Sequence, residues 1–168
     1  MPFEQHTLLA ARKWADFTEM ALHDDKIYVF ECCFIQNPLT IGMIKWGEKD
    51  ERLIEYVLGL EKIIHKLNPV LLYVQQDDLE GSFRKAFDEK PADWADGFVE
   101  YYTNQGYGEK HQHTGINGTL EVLKERKKLE MNFYERLSIQ KSMINNSLYD
   151  LPSSRAHIID KLTSFHVI

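Results

Sequence analysis

IYVFECCFIQN, residues 27–37, reads as a buried strand with one acid, Glu31, near its middle, running into a polar end at Gln36 and Asn37. The wider segment Lys26 to Phe34 is rich in aromatic and β-branched residues. Its apolar character is nearly continuous, as in strands covered on both faces. Such a strand needs covering helices and parallel neighbours, and the flanking sequence offers both. Upstream, residues 4–23 carry Leu8, Ala11, Trp14, Phe17 and Ala21 at three- and four-residue spacing, which predicts a helix. Downstream, Asn37-Pro38 breaks the run, and Leu39–Trp46 is apolar but of undetermined type. Glu51 to Leu67 is the clearest helix, with Leu53, Val57, Leu60, Ile64 and Leu67 on one stripe and Asn68-Pro69 as its stop.

A second strand, Val70 to Val74, follows and ends in Gln75-Gln76-Asp77-Asp78. Helices are expected from Leu79 to about Lys90 and from Pro91 through ADWADGFVEYYTNQ. The glycine-rich stretch Gly106–Gly118 reads as a loop. Thr119 to Leu137 predicts another long helix, Ile139 to Ile144 a third strand, Pro152-Ser153-Ser154 a turn, and 155–165 a short helix. Strands alternating with long helices predict an α/β fold with a mainly parallel sheet and helices on both faces. The whole chain, 1–168, reads as one domain with a helical insertion at about 79–118. Sites in such sheets lie at the carboxyl ends of the strands. Those ends, 31–37, 75–78 and 145–150, are all polar. The order suggests the back half of a nucleotide-binding domain, yet the chain nowhere contains G-x-x-x-x-G-K-[ST], the loop that cradles phosphates.

With 20 basic against 26 acidic residues, the formal charge is -6, so no broad basic surface points to nucleic acid. Lys124, Arg126, Lys127 and Lys128 cluster, but Glu121, Glu125 and Glu130 interleave them. The two cysteines, Cys32 and Cys33, are adjacent; neighbours in a strand point to opposite faces, so free thiols in a reducing compartment are expected. The amino-terminal stretch has no apolar signal core, and no apolar run approaches the ~20 residues of a membrane span. A soluble, cytoplasmic protein is the expectation.

Four segments in order, FECCFIQNP, LNPVLLYVQQDDLEGSFRKAF, YYTNQGYG and MINNSLYD, resemble the carboxyl-terminal part of an uncharacterised family of bacterial P-loop NTPases similar to small-molecule and nucleotide kinases. The resemblance spans roughly residues 3–150. It implies a three-layer α/β/α P-loop NTPase-like fold, incomplete, with about three strands and a lid-like helical insertion. Family members begin with a strand, a Walker A loop and a helix that this chain does not match. The resemblance therefore implies a truncated member, a fragment of a longer protein or one half of a split gene. The complete member would use ATP and Mg2+ to move a phosphoryl group to a small acceptor. This chain alone is expected to be inactive, to bind nucleotide only if the front half is supplied, and to form a homodimer or pair with a second polypeptide. The alternative is a non-catalytic α/β binding or assembly module.

By position, the resemblance gives Glu31 the Walker B carboxylate, which holds the Mg2+ shell or acts as a base. It gives Arg84 a catalytic role and Lys85 a cofactor-side role on the lid helix. Tyr101 and Tyr102, with Gln36, Asn37 and Asp77, fall on the acceptor side, and Asn145 and Asn146 fall near the base. The residues themselves leave alternatives open. Glu31 could serve a structural hydrogen bond. Asp78 reads as a helix N-cap, leaving Asp77 the better claim on a site. Arg84 and Lys85 could be a solvated face. Arg126 shares the apolar stripe of Val122, Leu129, Phe133 and Leu137 and either snorkels at the core edge or faces a ligand. His111 and His113 lack a visible third ligand.

Overall fold

The computed structural model describes residues 1–168, and its first departure from expectation is the segment 26–34, which forms no strand. Residues 27–31 take part in no backbone–backbone hydrogen bond. Val29 is 90% exposed and Ile27 63%. One face of the segment does find cover: Tyr28 and Phe30 pack on Phe17 of the first helix, with ring centroids 5.1 and 4.9 Å apart. The other face has none. An apolar run becomes an inner strand only when strands flank it, and no strand lies beside this one. The chain then turns at Cys32, whose φ of 63° is left-handed.

The elements are mainly helical: α1 Phe3–Ala21, α2 Gln36–Leu39, a π-helical turn Thr40–Lys45, α3 Asp50–Ile64, β1 Val70–Gln75, α4 Leu79–Glu89, α5 Ala92–Thr103, α6 Gly106–Lys110, α7 Gly115–Arg136, β2 Gln140–Asn145 and α8 Leu151–Ser164. Only β1 and β2 pair, in parallel, in a register running from Val70 opposite Gln140 to Gln75 opposite Asn145. This corrects the expected three-layer α/β/α sandwich. Eight α-helices surround one two-stranded sheet, and the third strand that the layered fold requires is absent. A parallel pair needs a long crossover, and α4 to α7 supply it.

The core lies among the helices rather than on the sheet. Phe3, Leu39, Met43, Leu53, Val57, Val122 and Phe133 pack together in it, and Tyr102 and Leu137 close its edges. The stripe read on α3 faces inward as expected, with Leu53, Val57, Leu60 and Ile64 buried. Asn68, at φ 48°, ends the following turn ahead of Pro69. Glu61, buried on α3, accepts from Ser138 N at 2.5 Å and from Ile139 N at 3.0 Å. A carboxylate thus ties α3 to the start of β2.

The stretch 106–118 is not a loop. Gly106 opens α6, and a Cβ there would lie 2.4 Å from Gly47 N; at Gly108 it would lie 2.2 Å from the Tyr102 carbonyl oxygen. These glycines allow backbone to meet backbone. Gly115 opens α7, four residues before the expected start. Pro152-Ser153-Ser154 lies within the first turn of α8, capped by Asp150, whose carboxylate accepts from Ser153 N at 3.1 Å. No helix is long and apolar enough to cross a membrane.

Candidate functional site

Parallel strands bring their carboxyl ends to one edge, and here that edge carries a polar network. Asp77 is its hub. Asn145 Nδ2 donates to Asp77 Oδ2 at 2.7 Å, Gln75 Nε2 to Asp77 Oδ1 at 2.8 Å, and Asp77 N donates to Ser147 Oγ at 2.8 Å. The Asn145 amide, then the Gln75 amide, hold the Asp77 carboxyl below its ordinary value. Gln76 Nε2 donates to the Asn146 carbonyl at 3.1 Å, while Gln76 Oε1 is buried and has no partner. From α7, Lys127 Nζ reaches the Gln76 carbonyl at 2.5 Å. A shallow cleft of about 730 Å³ opens near this edge, lined by Lys124, Lys127, Lys128, Asn132 and Glu135 of α7 and by Leu79; Lys124 and Lys128 are paired with Glu121 and Glu125.

Asp78 caps α4, its carboxylate accepting from Gly81 N at 2.8 Å, which leaves Asp77 free to line the edge. Lys85 also borders this region. Its ammonium stands 3.9 Å from the centroid of the Tyr149 ring, and Tyr149 OH donates to Ser82 Oγ at 3.0 Å. Arg84, by contrast, is half-exposed and engaged by Glu80 one turn back, with Nη2 2.8 Å from Oε1. It sits on a solvated helix face.

A second cluster lies under the turn at Cys32. Arg126 is nearly buried. Its Nε donates to Glu130 Oε1 at 2.9 Å and its Nη1 to Tyr102 OH at 2.8 Å. Tyr73 OH, from β1, donates to Glu130 Oε2 at 2.7 Å. Burial alone would lower the Arg126 pKa, but the Tyr102 and Glu130 oxygens outweigh it and the net shift is upward. Burial, with Glu130 beside it, raises Tyr73 well above the usual phenol range. Arg126 therefore does not snorkel; it points inward and is paired. Its charge also reaches Cys32, whose thiol is pushed up by burial and by Glu31 and only partly offset by Arg126.

Glu31 itself is exposed and makes neither a hydrogen bond nor an ion pair. Gln36 Oε1 accepts from Cys32 Sγ at 3.1 Å. The Asn37 side chain borders a separate cavity described below. Tyr101 is half-buried beside Tyr102, their ring centroids 5.9 Å apart. The structure thus gathers Asp77, Asn145 and Asn146 at one edge, sets Arg126 with Tyr102, and leaves Glu31 and Arg84 apart from both. Sequence reasoning missed Ser147, Lys127, Glu130 and Tyr73. Only Glu130 carried a local signal, standing four residues beyond Arg126 on the same helix face.

No group of three or more His, Cys, Asp or Glu side chains is placed to hold a metal ion. Glu31 stands alone, and no glycine loop faces it. The residues present do not fit a Mg2+–triphosphate group. No protein-family model, no curated protein and no solved structure matches the chain.

Proposed function

We propose that this chain carries the acceptor and base side of a nucleotide-dependent phosphotransferase, and that it is catalytically silent by itself. The observation that carries the reading is the edge at the ends of β1 and β2. Asp77, Asn145 and Asn146 converge there, next to a cleft walled by Lys124, Lys127 and Lys128. Carboxyl ends of parallel strands are where α/β proteins seat ligands. Amide side chains suit the edges of a base, and lysines suit an anionic group. The resemblance of the four sequence segments points the same way. Silence follows from the missing phosphate cradle and from a Glu31 with nothing around it to complete a metal shell. Phosphoryl transfer is mostly positioning and charge neutralisation, and this chain supplies neither for a triphosphate.

A second reading, a non-catalytic assembly module, has one observation in its favour: the uncovered apolar face carrying Ile27 and Val29. Titration with adenosine, which carries the base without the triphosphate, by heteronuclear NMR separates the two, and ATP–Mg2+ tests the silence. The phosphotransferase reading expects weak binding, with shifts confined to Asn145, Asn146, Ser147 and Lys127, and no ADP produced. Absence of shifts at that edge refutes it in favour of the assembly module. Low-micromolar affinity with turnover would overturn the claim of silence.

A further inference from the structure

A cavity of about 350 Å³ lies between α1, the segment 30–41 and α3, and shares no lining residue with the strand ends. Its wall is aromatic. Trp14, Phe17 and Phe30 form a triangle of rings with centroids 5.9, 5.0 and 4.9 Å apart, and Tyr56 also lines the space. Such a cluster is ordinarily the inside of a core. Here Trp14 and Phe17 are only partly buried and Phe30 is 48% exposed, so the rings line an open concavity.

The polar groups on this wall are open to solvent and spend no hydrogen bond on the rest of the protein. Lys13 makes no ion pair or hydrogen bond, although acidic residues outnumber basic ones in the chain. The Asn37 amide, the His6 ring and the Tyr56 hydroxyl make no hydrogen bond either. None of the eleven lining residues is acidic. Burial, and then Lys45 nearby, lowers the His6 pKa, which leaves a neutral imidazole able to donate one hydrogen bond. Burial pushes the Tyr56 phenol up to about 12, so its hydroxyl stays a neutral donor. An aromatic floor with one free ammonium, several idle donors and no carboxylate has the complementarity of an aromatic anion.

We propose that this cavity binds a small planar aromatic acid, its ring seated against Trp14, Phe17 and Phe30 and its carboxylate received by Lys13. The site needs no nucleotide. It is separate from the phosphotransferase reading, and it stands or falls on different residues from those of the strand ends.

Indole-3-acetate serves as the probe and indole-3-acetamide as its neutral counterpart. Binding to the full chain is followed through the Trp14 indole N–H resonance, assigned with Trp14→Phe. The acid is expected to bind with a dissociation constant of about 1 mM or tighter, in keeping with a ligand of this size. The amide should bind more weakly, by about two- to fivefold, as loss of one solvent-exposed ion pair requires. Lys13→Glu, on an exposed position of α1, should leave the rest of the spectrum unchanged and remove that preference. Phe30→Ala, outside any helix or strand, should weaken both ligands. Equal affinities for acid and amide, indifference to Lys13→Glu, or an unmoved Trp14 resonance at saturating probe would each overturn the proposal. None of these outcomes touches the strand-end reading, whose reporters are Asn145 and Asn146.

Discussion

Replacing Arg126 by Met removes a guanidinium from a nearly closed space and leaves its partners behind. The side chain of Arg126 is 9% exposed and that of Glu130 15%. In the variant, Glu130 keeps only the hydrogen bond from Tyr73 OH, and Tyr102 OH loses its charged donor. Breaking a buried ion pair from one side costs about 3–5 kcal/mol, because the stranded charge stays desolvated. Methionine fills much of the lost volume, so the cavity contribution stays small. For a chain of this size each kcal/mol moves the melting temperature by about 2–4 °C, which gives a drop of roughly 6–20 °C. Urea unfolding followed by far-UV circular dichroism measures the loss, and thermal melts measure the shift. The companion Arg126→Met/Glu130→Gln removes the stranded charge as well and should recover part of the deficit, so the two changes are not additive. A loss under about 1 kcal/mol in the single variant would place the pair in the class of solvated surface bridges and refute the account of Arg126 as a buried, paired cation. A double variant as unstable as the sum of its parts would refute the coupling.

Two further outcomes follow from the geometry. Asp77 has a carboxyl held below its ordinary value by Asn145 and Gln75, so its contribution is present above the unfolded carboxylate value and is lost as pH falls through the lowered folded one; the stability gap between wild type and Asp77→Asn should be steady near neutrality and close below about pH 4, and a gap unchanged down to strongly acid pH would refute it. The face of the 27–31 segment that carries the 90%-exposed Val29 should drive concentration-dependent self-association, seen by sedimentation velocity and relieved by Val29→Lys; a compact monomer at every concentration, in wild type and variant alike, would show that the uncovered face recruits nothing.

Periodicity made α3 legible, because it buries one face against elements close by and its residues record that face directly; β1 and β2 were legible as short apolar runs that end in polar residues. The same holds for the Asp78 cap, a contact made within three residues. What the residues could not record was the company each element keeps. Gly106 and Gly108 read as loop residues on composition, yet they let α6 press its backbone against Gly47 and Tyr102, a demand set 59 residues away in one case. Arg126 was visible on an apolar stripe. Whether it snorkels or pairs depends on Tyr102, which belongs to another helix.

The deepest error has the same root and bears on function. Apolar residues in sequence show that a segment could be an inner strand; they do not show that strands stand beside it. A strand exists by its neighbours' carbonyls and amides, and residues 27–31 have none. The argument for Glu31 rested on that strand, since a carboxylate is costly only where water is excluded. With Val29 and Phe30 open to solvent and Glu31 exposed beside them, the cost disappears and so does the inference from it. The group that does carry a demonstrable physical tension is elsewhere: a buried, unpartnered Gln76 oxygen at the strand ends. That place, rather than the acid in the apolar run, is where a ligand would relieve something the folded chain leaves unsatisfied.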